Sequence, residues 1–73
     1  MTTVDRLRLA EDTTYRAAIQ AGAVEGYDDT PGGDLRAPKG ANPTVRAAVG
    51  EYRVAALAHY GWVHGPALRE YYR

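Results

Sequence analysis

Apolar and polar positions along this chain follow two helical rhythms, separated by a stretch with no rhythm. In the first, Val4, Leu7, Tyr15, Ala18 and Ile19 fall on one stripe at helical spacing, which predicts a helix over residues 3–24. Thr2 with Asp5 three residues later has the form of a capping box, in which each side chain reaches the other's backbone N–H. Arg8, Asp12 and Arg16 are spaced four apart and can lace a solvated face. Glu11 breaks the stripe, so the amphipathicity is weak.

The second rhythm starts at Asn42 and Pro43. Asn42 can cap the helix, and Pro43 occupies the first helical position, where its missing N–H leaves nothing unsatisfied. Val45, Ala48, Val49, Tyr52, Ala56 and Tyr60 form one stripe, and a helix over residues 43–60 is expected to stop at Gly61. Its other side is not polar, because Ala47, Gly50, Val54, Leu57 and Ala58 lie there. A helix that is apolar on both sides is normally buried on both. The first helix can cover one of them. After "GWVHG", Pro66 can open a short third helix over residues 66–72.

Between the rhythms lies "GYDDTPGGDLRAPKGAN", residues 26–42, with four glycines and two prolines. Those residues exclude a helix, and apart from alanine only Leu35 is aliphatic. If this loop is ordered, contacts with the helices or with a neighbouring chain must hold it. Ordering opposes it by about 1–2 kcal/mol per residue, more than its own apolar content offsets. The expected fold class is therefore all-α: a small bundle of two main helices plus a short C-terminal helix, with a long ordered loop between helices 1 and 2. Residues 1–73 form a single small helical domain.

Size sharpens this picture. A chain of 73 residues makes a thin core and usually needs a staple, and without cysteine neither a disulfide nor a thiolate metal site is available. A protein partner or self-association is the remaining staple. Nine basic and nine acidic residues cancel, so no global field attracts nucleic acid or anionic lipid. No apolar run approaches the roughly 20 residues of a membrane span, and the charged N-terminus is unlike a signal peptide. A cytoplasmic protein, or one incorporated into a cytoplasmically assembled particle, is expected, with no membrane partner. The basic residues are Arg except for Lys39, and Ala and Gly abound, which points to a GC-rich bacterial or phage source.

Candidate chemistry is sparse. His59 and His64 are the only imidazoles; their spacing straddles the expected break at Gly61 and matches no metal rule, so half-buried polar residues near a turn account for them better. "DDTPGGD" lacks the alternating oxygen ligands of a calcium loop. In "PGGDLRAPKG", Lys39 is followed by Gly40 where a phosphate loop needs a hydroxyl. With neither cysteine nor serine, and no motif joining the remaining nucleophiles, the chain is read as non-enzymatic and without a cofactor.

The closing segment "YRVAALAHYGWVHGPALREYYR" supports two readings. Helix, glycine-bearing turn and helix is the helix-turn-helix outline. Over Tyr52, Arg53, Leu57, Ala58, Val63, Leu68, Arg69, Tyr71 and Arg73 the segment resembles the opening of MerR-type regulators, although Trp62 stands where their turn glycine should be. That resemblance implies DNA binding, with Arg69 and Arg73 contacting phosphates or bases. The favoured reading uses the same residues for docking. Five of the seven aromatics lie in this segment beside three arginines, and Tyr, Trp and Arg dominate binding hot spots. Tyr52, Val54, Leu57, Tyr60, Trp62, Arg69, Tyr71, Tyr72 and Arg73 are the expected protein-interface residues. For Tyr52 and Trp62, a place in the domain's own core is the plainer alternative. The protein is expected to be a structural or accessory subunit of a larger assembly, with nucleic acid admitted as a partner but not favoured.

Overall fold

The computed structural model describes residues Thr2 to Tyr71, with side chains described as far as Gly65. Helix α1 (Thr3–Ala21) leads to strand β1 (Val24–Glu25), strand β2 (Leu35–Arg36) and helix α2 (Pro43–Tyr71). The fold is mostly helical, with a small antiparallel sheet in the connection. Its strands pair Val24 with Arg36 and Glu25 with Leu35.

Local chemistry explains where the helices begin. Thr2 and Asp5 close the capping box: the Asp5 N–H donates to Thr2 Oγ1 at 3.2 Å, and the Thr2 N–H donates to Asp5 Oδ2 at 3.2 Å. The hydrogen bond from the Thr2 side chain, then that from its backbone, hold the Asp5 carboxyl below its ordinary pKa. α1 ends three residues before the expected boundary because Gly22 adopts φ 115°, a left-handed cap open to glycine at little cost. Asn42 caps α2 through its Oδ1, which accepts from the Val45 N–H at 3.1 Å.

The long ordered loop expected here carries a small hairpin, its two-residue strands being Val24–Glu25 and Leu35–Arg36. The Gly33 N–H donates to the Thr30 carbonyl at 2.8 Å, closing a turn with Pro31 second and Gly32 third, φ 79°. Asp28 accepts from the Thr30 N–H at 2.9 Å, and this backbone bond, as the largest cause, lowers the carboxyl's pKa. What fixes the hairpin to the rest is close approach: a Cβ on Gly32 would stand 2.8 Å from Arg53 Cα. The Arg53 guanidinium also donates to the Leu35 carbonyl at 3.4 Å.

Gly22 beside Val45, Tyr15 on Tyr52 and Glu11 on His59 show that α1 and α2 run antiparallel. Their shared core is small: Ala18, Ala23, Leu35, Val49, Tyr52 and Ala56 are buried together. Tyr52 is its largest member and touches every layer. Its ring meets Tyr15 edge-on at 5.4 Å, and its hydroxyl donates to Asp34 Oδ1 of the hairpin at 2.7 Å. A polar-tipped ring is thus accommodated in the core because the tip finds an acceptor.

The C-terminal part corrects the sequence expectation. α2 does not stop at Gly61, and no separate helix over residues 66–72 follows a turn; one helix runs from Pro43 to Tyr71. A glycine stops a helix by turning left-handed, and among the described residues only Gly22, Gly32 and Gly40 have positive φ. Gly61 and Gly65 stay helical, so the helix-turn-helix outline has no turn. α2 also continues through Pro66, whose missing N–H removes one link of the ladder.

Candidate functional site

Tyr52, Ala56, Val45 and Val49 turn inward, which leaves the opposite side of α2 facing out. There Ala47, Gly50, Val54, Leu57, Ala58 and Gly61 are all exposed. Val54 is 71% and Leu57 59% exposed. Arg46 and Arg53 border this strip along one margin, and Glu51 along the other. Tyr60 and Trp62 extend the apolar surface on its flanks, with Trp62 56% exposed. Among the described residues, apart from adjacent residues and the nearby backbone of α2 itself, nothing lies within 4 Å of where a Cβ would stand on Gly50 or Gly61.

The expected interface residues therefore separate. Val54, Leu57 and Trp62 lie outward on α2, whereas Tyr60, though exposed, continues the inner stripe past Ala56. Tyr52 is buried: at 4% exposure it belongs to its own chain's core, where its stripe with Val45, Val49 and Ala56 places it. Trp62, for which a core position was the plainer alternative, is at the surface. Tyr72 and Arg73 lie outside the described residues, as do the side chains of Arg69 and Tyr71.

A second feature is an open cleft of about 890 Å³ between the helices, lined by Asp5, Arg8, Leu9 and Asp12 of α1 and bounded by Tyr52 and His59 of α2. Glu11, the residue that interrupts the first apolar stripe, points at α2 there, with its Oε2 2.5 Å from His59 Nδ1. Both are half-buried. The signal in the sequence was a lone polar residue on each of two apolar stripes, but only the antiparallel register shows that they meet. Tyr52 offers little acid chemistry to this cleft. Burial, then the hydrogen bond to Asp34 and its charge, push the phenol well above its ordinary pKa. Asp12 pairs with Arg16 at 3.1 Å on the solvent side, whereas Arg8 does not close on Asp12.

His59 and His64 lie on one helix and not on two elements, because α2 does not break. They still diverge: His59 faces Glu11, and His64 lies against Tyr60 with ring centroids 4.4 Å apart. Among the described residues, no group of three or more His, Asp or Glu is placed to hold a metal ion. Nor is any described helix long and apolar enough to cross a membrane. Of the titratable side chains in the cleft, Glu11 and His59 join α1 to α2, and Tyr52 joins α2 to the hairpin. What the surface does offer, without a partner among the described residues, is the outer strip of α2.

No protein-family model, curated protein or solved structure matches this chain.

Proposed function

We propose that this protein is a non-enzymatic interaction subunit that docks into a larger protein assembly through the outer face of α2. One observation carries the reading: an ordered helix, apolar on both sides, has only one side covered by the described residues. Large aliphatic side chains on that uncovered side are flanked by Tyr60 and Trp62, residue types that anchor interfaces. In sequence, Arg69, Tyr71, Tyr72 and Arg73 continue the same aromatic and arginine composition. The thin core supports the reading as well, because so small a domain gains stability from association. A bacterial or phage particle assembled in the cytoplasm is the kind of assembly the composition fits. The regulator reading needed a turn near Gly61, and the helical path there lends it no support.

The test is a photo-crosslinking amino acid placed at Val54 and, as a control, at exposed Thr13 on α1, in cells that make the protein. A discrete protein adduct at position 54 and none at position 13 is the expected outcome. Absence of any discrete adduct at position 54 would overturn the reading.

A further inference from the structure

The outward residues of α2 carry a pattern that an undirected sticky patch lacks. Ala47, Gly50, Val54, Leu57, Gly61 and His64 follow one another in alternating steps of three and four, and all are exposed. That is the spacing at which two helices interlock along a left-handed seam, with Ala47, Val54 and Gly61 in one set of positions and Gly50, Leu57 and His64 in the other. The pair with full-sized side chains, Val54 and Leu57, puts a β-branched residue in the first set and Leu in the second. This combination favours two parallel strands.

The margins agree. In a parallel, in-register pair, the residue preceding the first set on one helix faces the residue five positions on in the other. Here that brings Arg46 against Glu51 of the second copy, and by symmetry the same pair forms again. An antiparallel pair would instead set the Arg46 and Arg53 margins of the two copies against each other, like charge facing like charge. Gly50 and Gly61, with open space where a Cβ would stand, allow the two backbones to approach closely. A seam this short would not order a free helix, but α2 is already ordered by α1 and the hairpin, so association does not have to supply that cost.

From this spacing, side-chain choice and charge match, we infer that the outer face of α2 binds a second copy of this chain, parallel and in register. The inference rests on the docking reading above and names its partner. The experiment uses the purified full chain, which has no native cysteine, so each introduced thiol is unique. Val54→Cys and Leu57→Cys should each form a disulfide-linked dimer under mild oxidation, while Thr13→Cys should not. Arg46→Glu and Glu51→Arg should each move the monomer–dimer midpoint about tenfold to higher concentration, since two attractive pairs become repulsive. The double variant should return close to the starting midpoint. All these positions are exposed, so circular dichroism should be unchanged throughout. Crosslinking at only one position, or no rescue by the charge swap, would overturn the parallel register. A chain that stays monomeric in solution yet gives a heavier adduct at position 54 in cells would overturn self-pairing and leave the docking function standing. Failure of both would remove both.

Discussion

The two sides of α2 are built from nearly the same residues and have opposite fates. Val45, Val49, Tyr52 and Ala56 are buried. Ala47, Val54, Leu57 and Ala58, a comparable set, are exposed. Hydropathy does not distinguish them; what does is the neighbour each side meets. The inner side is met by Ala18 and Tyr15 of α1 and by a hairpin whose Gly32 lies against Arg53. The outer side meets nothing else in its own described chain. Apolar content thus states that a face wants covering, and the complementary shape of another element states whether this chain does it.

Substitutions that treat the two sides alike should therefore give unlike results. Tyr52→Ala removes the ring that joins all three layers and should cost about 3–5 kcal/mol by chemical denaturation. Val54→Ala in the monomer should stay within about 0.5 kcal/mol of the parent. Equal losses at the two positions would erase the distinction.

The glycines sharpen it next. Gly32→Ala combines a left-handed backbone with a backbone contact and should destabilise by about 2–3 kcal/mol, whereas Gly50→Ala, on the open side of α2, should stabilise by about 0.5–1 kcal/mol.

Tyr52→Phe keeps the ring and loses its bond to Asp34, an effect of about 1 kcal/mol. It also tests the titration. Because the folded state holds the phenol's pKa above its ordinary value of 10.0, stability from this group is full below that pH. Above it the unfolded chain releases a proton that the folded chain keeps, and stability falls. The thermal midpoint of the parent should drop above pH 10 more steeply than that of Tyr52→Phe. Parallel curves would place the phenol in water.

The smallest effect decides the course of α2. If Gly61 is helical, Gly61→Ala should stabilise by about 0.5–1 kcal/mol; at a left-handed turn the same change would destabilise by about as much. Its sign, read from denaturation midpoints, separates one helix from a helix-turn-helix.

Much of the helical frame was legible in the sequence because its determinants are local. The Thr2–Asp5 box, the Asn42 cap with Pro43, and the stripe through Val45, Val49, Tyr52 and Ala56 act within one or two turns of helix. The hairpin was not legible: strands of two residues carry no alternation, and Gly32 is fixed by Arg53, far along the chain. Gly61 and Pro66 misled for the converse reason. They are local stop signals, and they stop a helix only where the backbone takes the conformation they permit. At the candidate site, the exposed strip through Val54 and Leu57 was visible as a second apolar side, while the burial of Tyr52 and exposure of Trp62 depended on which side α1 chose.

The most direct test of the central claim, that the outer side of α2 pairs with a second copy of this chain, is solution mass by light scattering across a concentration series for the parent and for Val54→Glu. The account predicts a parent that rises from the chain mass of 7.9 kDa toward twice that value, and a variant that stays at 7.9 kDa with its helical signal intact. A parent that remains at 7.9 kDa at every concentration, or a variant that associates just as well, would contradict it.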